Sequence, residues 1–136
     1  MLWLLDTNVV SRFARRVDLG LVAHVEREAA DCLVSTVTWY ELEYGAAKRP
    51  DVPALRKRLE LLREIFPESI PFGEDAAFHA GVVRAQLERL RPNAQPIGPY
   101  DVLLAGQALS LGATLVTANT AEFSRVPGLV VENWES

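Results

Sequence analysis

Cysteine is nearly absent from this 136-residue chain: Cys32 stands alone, which excludes an intrachain disulfide and a multi-cysteine zinc site. It reads as a small buried hydrophobe. Histidine is almost as scarce, and His24 and His79 fall on predicted helices where a surface or core role suits them, so neither is assigned chemistry. No apolar run approaches the ~20 residues that span a bilayer. The apolar stretch before Asp6 is too short for a secretory signal. No repeat, linker or low-complexity segment interrupts the chain. These absences predict a soluble, cytoplasmic protein with no membrane partner. A basic excess is missing too: 14 Lys and Arg against 18 Asp and Glu give a net charge of −4 and a pI near 5.2. That balance argues against binding nucleic acid through broad electrostatics.

The length is that of one domain, 1–136, with a core of ordinary size. Short apolar runs alternate with helical patterns. Strands are expected at 2–5, 32–34, 69–72, 114–117 and 129–132. Helices are expected at 7–15, 19–30, 36–47, 54–65, 74–90 and 99–111, the last stopped by Gly112. Asn8 is read as a turn residue, Pro71 marks an edge strand, and Arg91 to Gly98 form a Pro-rich loop. Strands separated by helices imply parallel pairing through right-handed crossovers. The fold class is therefore α/β, a three-layer α/β/α sandwich with a four- or five-stranded, mostly parallel sheet. Small residues on 99–111 (Ala105, Gly106, Ala108) suggest close packing of that helix on the sheet, which would hold Asp101 near the strand ends.

That topology gathers four polar residues. Asp6 follows the first strand and Asn119 the fourth, Glu41 lies on the helix after the second strand, and Asp101 lies in the first turn of the helix announced by Gly98-Pro99. Ligands in open α/β sheets bind outside the carboxyl ends of the strands. Each residue also has a structural reading. Asp6 can cap the next helix, and Thr38-x-x-Glu41 has the form of a capping box. Asp101 suits the positive end of a helix dipole, and Asn119 with Glu122 resembles a cap with an acid three residues on. Together the four are harder to dismiss. Carboxylates crowded at one sheet edge raise one another's pKa, and a hard divalent cation, Mg²⁺ or Mn²⁺, compensates. Basic residues cluster at 12–16, at 48–63 (Lys48, Arg49, Arg56, Lys57, Arg58, Arg63) and at 84–91, and a solvated helix face explains most of them.

Leu5-Asp6-Thr7-Asn8, Thr38-x-x-Glu41-Leu42-x-x-Gly45, Gly98-Pro99-Tyr100-Asp101 and Thr117-x-Asn119-x-x-Glu122-Phe123 resemble the signature of PIN-domain ribonucleases, and more closely that of the VapC toxins. The ending Phe123 to Leu129, then Glu132-Asn133-Trp134, is similar as well. The resemblance implies a PIN fold, Mg²⁺- or Mn²⁺-dependent RNA cleavage, a homodimer, and a cognate VapB-type antitoxin that blocks the site. A segment of that antitoxin is expected over helices 36–47 and 54–65, with an Arg in the acidic cleft. Asp6, Glu41 and Asp101 match the family's main acidic positions. Asn119 stands at a fourth position that is often Asp, which puts a second cation in doubt. The implied catalytic set is Asp6, Glu41, Asp101 and Asn119. Asp6 and Asp101 are metal ligands, Glu41 ligates directly or through water, and Glu122 is a further candidate. Thr7 and Thr117 would orient the carboxylates.

The implied reaction is attack by an activated water on a phosphodiester, leaving 5′-phosphate and 3′-hydroxyl ends. The substrate would be a tRNA or rRNA loop, and the Gly98-Pro99-Tyr100-Asp101 segment resembles members that act on initiator tRNA. Trp39, Tyr40 and Tyr44 could stack bases, although at least two are expected in the core or a subunit interface. Two rivals remain. A phospho-acceptor Asp needs a late lysine, and none follows Lys57. A catalytically weak PIN-like module that binds RNA or protein fits Asn119, but such a module need not keep three carboxylates.

Overall fold

Parallel neighbours need a crossover between them, and the chain supplies one or two helices after every strand but the last. The structure is a computed structural model describing residues 1–90 and 96–136. Its strands are β1 (Trp3–Leu5), β2 (Cys32–Ser35), β3 (Ser69–Ile70), β4 (Thr114–Val116) and β5 (Val131–Glu132). They form one sheet in the order β3-β2-β1-β4-β5, and every pairing is parallel. The helices are α1 (Thr7–Arg15), α2 (Leu19–Glu28), α3 (Thr36–Lys48), α4 (Pro53–Ile65), α5 (Glu74–Leu90), α6 (Pro99–Leu111) and the short α7 (Thr120–Phe123). Five parallel strands between helical layers is the expected α/β/α arrangement.

Alternation along the strands builds two cores. Leu5, Val34 and Val116 face one side, with Phe13, Val25, Leu59 and Leu62 from the helices there. Leu4 and Leu115 face the other, against Val83, Leu87, Leu104 and Ala105. Both faces are covered, as parallel sheets require. Strand order also fixes where a ligand can enter. From β1 the chain moves outward to β2 and β3, then returns to β4 and β5 on the other flank. The crevice between the carboxyl ends of β1 and β4 is thus the topological switch point.

Several boundaries shift for local reasons. β3 stops at Ile70, because Pro71 has no N–H to continue a ladder; it is an edge strand, as its proline suggested. β5 begins at Val131, two residues later than expected, and β4 ends at Val116 rather than at residue 117. α2 gives way to a 3₁₀ turn over Ala29–Asp31. Asn8 lies inside the first turn of α1, not in a separate turn. Residues 91–95 of the expected Pro-rich loop, Arg91 among them, lie outside the described residues. Among the described residues no helix is long and apolar enough to cross a membrane.

The small residues of α6 serve two neighbours: Ala105 and Ala108 are buried in the cluster that holds Leu4 and Leu115 of the sheet, as expected, whereas Gly106 faces another helix. A Cβ on Gly106 would stand 2.3 Å from the Ala80 backbone nitrogen, so the close approach is to α5 and not to the sheet.

The C-terminus is tied back to α1 and α2. Trp134 stacks on His24 at 3.8 Å between ring centroids and meets Trp3 edge-on at 5.1 Å. The buried Asp18 caps α2 through the Leu21 N–H and accepts the Ser136 N–H and hydroxyl. Those hydrogen bonds, helped by Arg12, hold its carboxyl down at about 2. A depressed carboxylate contributes stability above the ordinary range and loses it as pH falls through the folded value. The melting-temperature gap between wild type and Asp18→Asn should be full at neutral pH and close between about pH 4 and pH 2. Thermal melts across that range test this, and a gap that stays constant would show that the charge is idle.

Candidate active site

Asp6 leaves the central strand at the switch point. Its N–H still donates to the Val116 carbonyl at 3.0 Å, which pins it to the end of β4. Its Oδ1 accepts the Val9 N–H at 2.8 Å, so the N-cap reading holds. The side chain is only 5% exposed. Burial raises its pKa most, against the lowering hydrogen bonds from Thr117 and Val9, with Glu135 and Glu41 adding repulsion.

Glu41 arrives from α3, and the capping-box reading fails. Ser35 is the actual N-cap, accepting the Val37 N–H at 3.0 Å, so α3 begins at Thr36 and Thr38 is already inside it. Freed from capping, Thr38 places its hydroxyl 3.1 Å from that of Thr7, and Thr7 donates to Glu41 Oε1 at 2.7 Å. Thr7 therefore orients Glu41, while Thr117 bonds to Asp6.

Asp101 sits in the first turn of α6 behind Gly98 and Pro99. Its carboxyl is pushed up to about 6, first by burial and then by the charges of Glu122, Asp6 and Glu41. Among the described residues it accepts no hydrogen bond. Asn119 is exposed beyond β4 and does not cap α7. It turns its amide to Glu122 Oε2, and Glu122 Oε1 accepts the Gly98 N–H at 3.1 Å. The structure thus places Asp6, Glu41 and Asp101 within reach of one another's charge, with Asn119 and Glu122 on one flank.

The all-oxygen donor set suits a hard divalent cation. A half-buried carboxylate with no hydrogen-bond partner among the described residues, repelled by three others, fits such an ion electrostatically. As they stand, Asp6, Glu41 and Glu122 turn to protein donors, and among the described residues no three of His, Cys, Asp or Glu are arranged to hold a metal.

Of the three aromatics around Glu41, one joins the core of this chain and two lie on its surface. Within this chain only Trp39 is buried, at 3% exposure, under the Arg63 guanidinium; Tyr40 and Tyr44 are 54% and 59% exposed. Tyr100, given no role from sequence, meets Tyr40 across the mouth of the site with hydroxyls 3.2 Å apart and ring centroids at 5.5 Å. Each of this pair directly precedes a site carboxylate, the one signal that could have marked them. The 48–63 basic cluster is partly committed elsewhere: Arg56 and Arg63 both hold Glu43, and Arg49 pairs with Asp51. A cleft of about 180 Å³ between α1, α3 and α4 opens beside Glu41, lined by Leu42, Leu55, Leu59 and Leu62 with Arg15 and Arg58 at its edge.

Residues 3–129 match the PIN domain family. The chain is 33% identical to the "tRNA(fMet)-specific endonuclease VapC" of Salmonella typhimurium over 97% of each chain. Among solved structures it resembles VapBC2 of Rickettsia felis bound to a DNA fragment from their promoter. That likeness has a TM-score of 0.87 and 29% identity, covering 99% of this chain and 100% of the other. DNA-bound VapBC of Salmonella typhimurium is similar at a TM-score of 0.84 and 33% identity, covering 98% and 99%.

Proposed function

This chain belongs to the PIN-domain family, and from that premise we propose that it is the VapC-type toxin of a toxin–antitoxin pair, a Mg²⁺- or Mn²⁺-dependent endoribonuclease. Residues 1–136 act as a single PIN domain. One observation carries the reading: Asp6, Glu41 and Asp101 converge at the switch point, with the Asp101 carboxyl raised to about 6 by burial and by its neighbours.

In this reading Asp6 and Asp101 hold the cation, and Glu41 completes its surroundings directly or through a water. When bound, the cation supplies Lewis acidity, polarising a phosphoryl oxygen and lowering the pKa of a water. The chain's own part is positional. Val9 and Thr117 fix the Asp6 carboxylate. Thr7 engages one Glu41 oxygen and leaves the other for a water. Burial around Asp6 keeps bulk solvent from that side of the site. Attack by water, not by the 2′-hydroxyl, leaves 5′-phosphate and 3′-hydroxyl ends.

The substrate is a structured RNA with an accessible loop, and initiator tRNA is the first candidate, on the likeness to the Salmonella relative. The exposed Tyr40–Tyr100 pair offers aromatic faces for splayed bases at the cleft mouth. The leucine-lined cleft beside Glu41 suits an amphipathic antitoxin segment, and the acidic site suits an Arg from it. The protein works as a homodimer held inactive by that VapB-type partner.

Incubating the antitoxin-free protein with bulk tRNA and rRNA, with and without EDTA, tests the reading. Discrete cuts bearing 5′-phosphates and abolished by EDTA are expected, and Tyr40→Ala and Tyr100→Ala should raise KM. Cyclic-phosphate ends, or cutting that persists in EDTA, would overturn the mechanism. Cuts elsewhere with initiator tRNA intact would remove that substrate, and a folded protein that cuts nothing would favour the binding-module alternative.

A further inference from the structure

A run of hydrogen bonds leads from the carboxylate at the end of β1 to Gly98, the residue just before α6. The Thr117 hydroxyl bonds to Asp6 and accepts the Asn119 backbone N–H at 3.0 Å. The Asn119 amide donates to Glu122 Oε2, and Glu122 Oε1 accepts the Gly98 N–H at 3.1 Å. Gly98 immediately precedes α6, and its carbonyl accepts the Val102 N–H at 3.0 Å, closing the first turn of that helix. The Asp101 carboxylate folds back onto this glycine: its Oδ2 lies 3.0 Å from where a Gly98 Cβ would stand. Gly98 and the Asp101 carboxylate thus sit against each other.

We propose that Glu122, oriented by Asn119, is a positioning residue that tethers the start of α6, and with it Asp101, to the end of β4, and that neither residue is a metal ligand. The inference rests on the nuclease reading above for its catalytic consequence. Both Glu122 oxygens are already engaged by protein donors. Pro99 has no N–H, so the Gly98 N–H is the last backbone donor before the helix, and Glu122 is what it meets. The amide of Asn119 then has a positive reason. It offers a donor to Glu122, whereas an aspartate in its place would set two carboxylates at hydrogen-bond distance and break the tether. A carboxylate at this position should therefore weaken the site, not strengthen it.

The test combines amide hydrogen exchange at Gly98 in the metal-free full chain with cleavage kinetics on bulk tRNA and Mg²⁺ titration. In Glu122→Ala, Gly98 exchange should quicken about five-fold or more. The kcat should fall about 10- to 100-fold with KM for RNA unchanged. Asn119→Asp should change both readouts in the same direction. Glu122→Gln should restore both, because its Oε1 still accepts from Gly98 and the exposed Asn119 amide can rotate to present its oxygen. Unchanged Gly98 exchange in Glu122→Ala would overturn the tether. So would a Glu122→Gln variant that keeps Gly98 protected yet loses Mg²⁺ affinity as Ala does, since Glu122 would then be a ligand. An inactive wild-type protein with the Gly98 response intact would count against the nuclease reading and for the tether.

Discussion

Asp101→Asn should lower RNA cleavage about a thousand-fold or more while making the metal-free protein more stable at neutral pH. The two effects share one cause. In the active reading this carboxylate holds a cation whose charge stabilisation is worth several kcal/mol, and each 1.36 kcal/mol is about one power of ten in rate. Without the cation, the same carboxylate is a liability. Burial, then Glu122, Asp6 and Glu41, raise its pKa to about 6, so the folded state disfavours the charge. The sign follows from linkage: below the ordinary carboxylate range the group is neutral in both states and costs nothing. As pH rises through the folded value the wild type carries a buried repulsion that the amide lacks. The gain from Asn should be absent below about pH 4 and complete above the folded value, at about 1 kcal/mol once solvent screening is allowed for. Mg²⁺ should reverse the order by stabilising only the protein that binds it. Melts of both proteins across pH, with and without Mg²⁺, measure this. Equal melting temperatures throughout would mean that the carboxylate cluster is not under electrostatic load. Asp6→Asn is a useful companion. Asn is as good an N-cap as Asp, so the bond from Val9 should survive and the fold with it, while cleavage is lost.

Much of this was legible because it depends on local pattern. Leu2 to Leu5 reads as a buried strand and Thr114 to Thr117 as another strand, and the polar residues just beyond them fall where parallel topology puts ligands. Asp6 was ambiguous between cap and site; the cap is made, and the residue stands at the strand end where the topology puts ligands. What local pattern could not supply was the choice between competing partners. Thr38-x-x-Glu41 is a sound capping motif, but Ser35 starts the helix earlier, and Glu41 takes a hydroxyl from Thr7, 34 residues away. Asn119 and Glu122 had the spacing of a cap, yet Glu122 is claimed by Gly98, 24 residues upstream. Tyr100 gained a role only through Tyr40, 60 residues away. In each case the sequence displayed a donor or acceptor correctly and left its partner open, because partners at such separations are set by how the helices dock.

Docking is also where the largest stability effect is expected. Glycine inside a helix normally costs about 1 kcal/mol relative to alanine, so Gly→Ala in a helix interior normally stabilises. Gly81 on α5 should behave that way: it is exposed, among the described residues nothing lies within 4 Å of its added Cβ, and Gly81→Ala should gain about 0.5–1 kcal/mol. Gly106, facing α5 from the partner helix, should do the opposite. Its added Cβ would lie 2.3 Å from the Ala80 nitrogen, 2.4 Å from its Cα and 2.7 Å from its Cβ. Those are mostly backbone atoms of a helix interior, which cannot swing aside as a side chain could. The helices must move apart, and both carry buried faces: Ala76, Ala80 and Val83 on α5, and Val102, Ala105 and Leu104 on α6. Overpacking of this kind costs about 1–3 kcal/mol, enough to outweigh the helix-propensity gain, and Gly106→Leu should cost more. Denaturant melts of the two alanine variants should therefore move in opposite directions. If Gly106→Ala instead stabilises, α5 and α6 are not in the close contact described. Function should follow stability, because α6 carries Asp101 in its first turn. Even well below its melting point, Gly106→Ala should cut more slowly than wild type, whereas Gly81→Ala should cut at the wild-type rate.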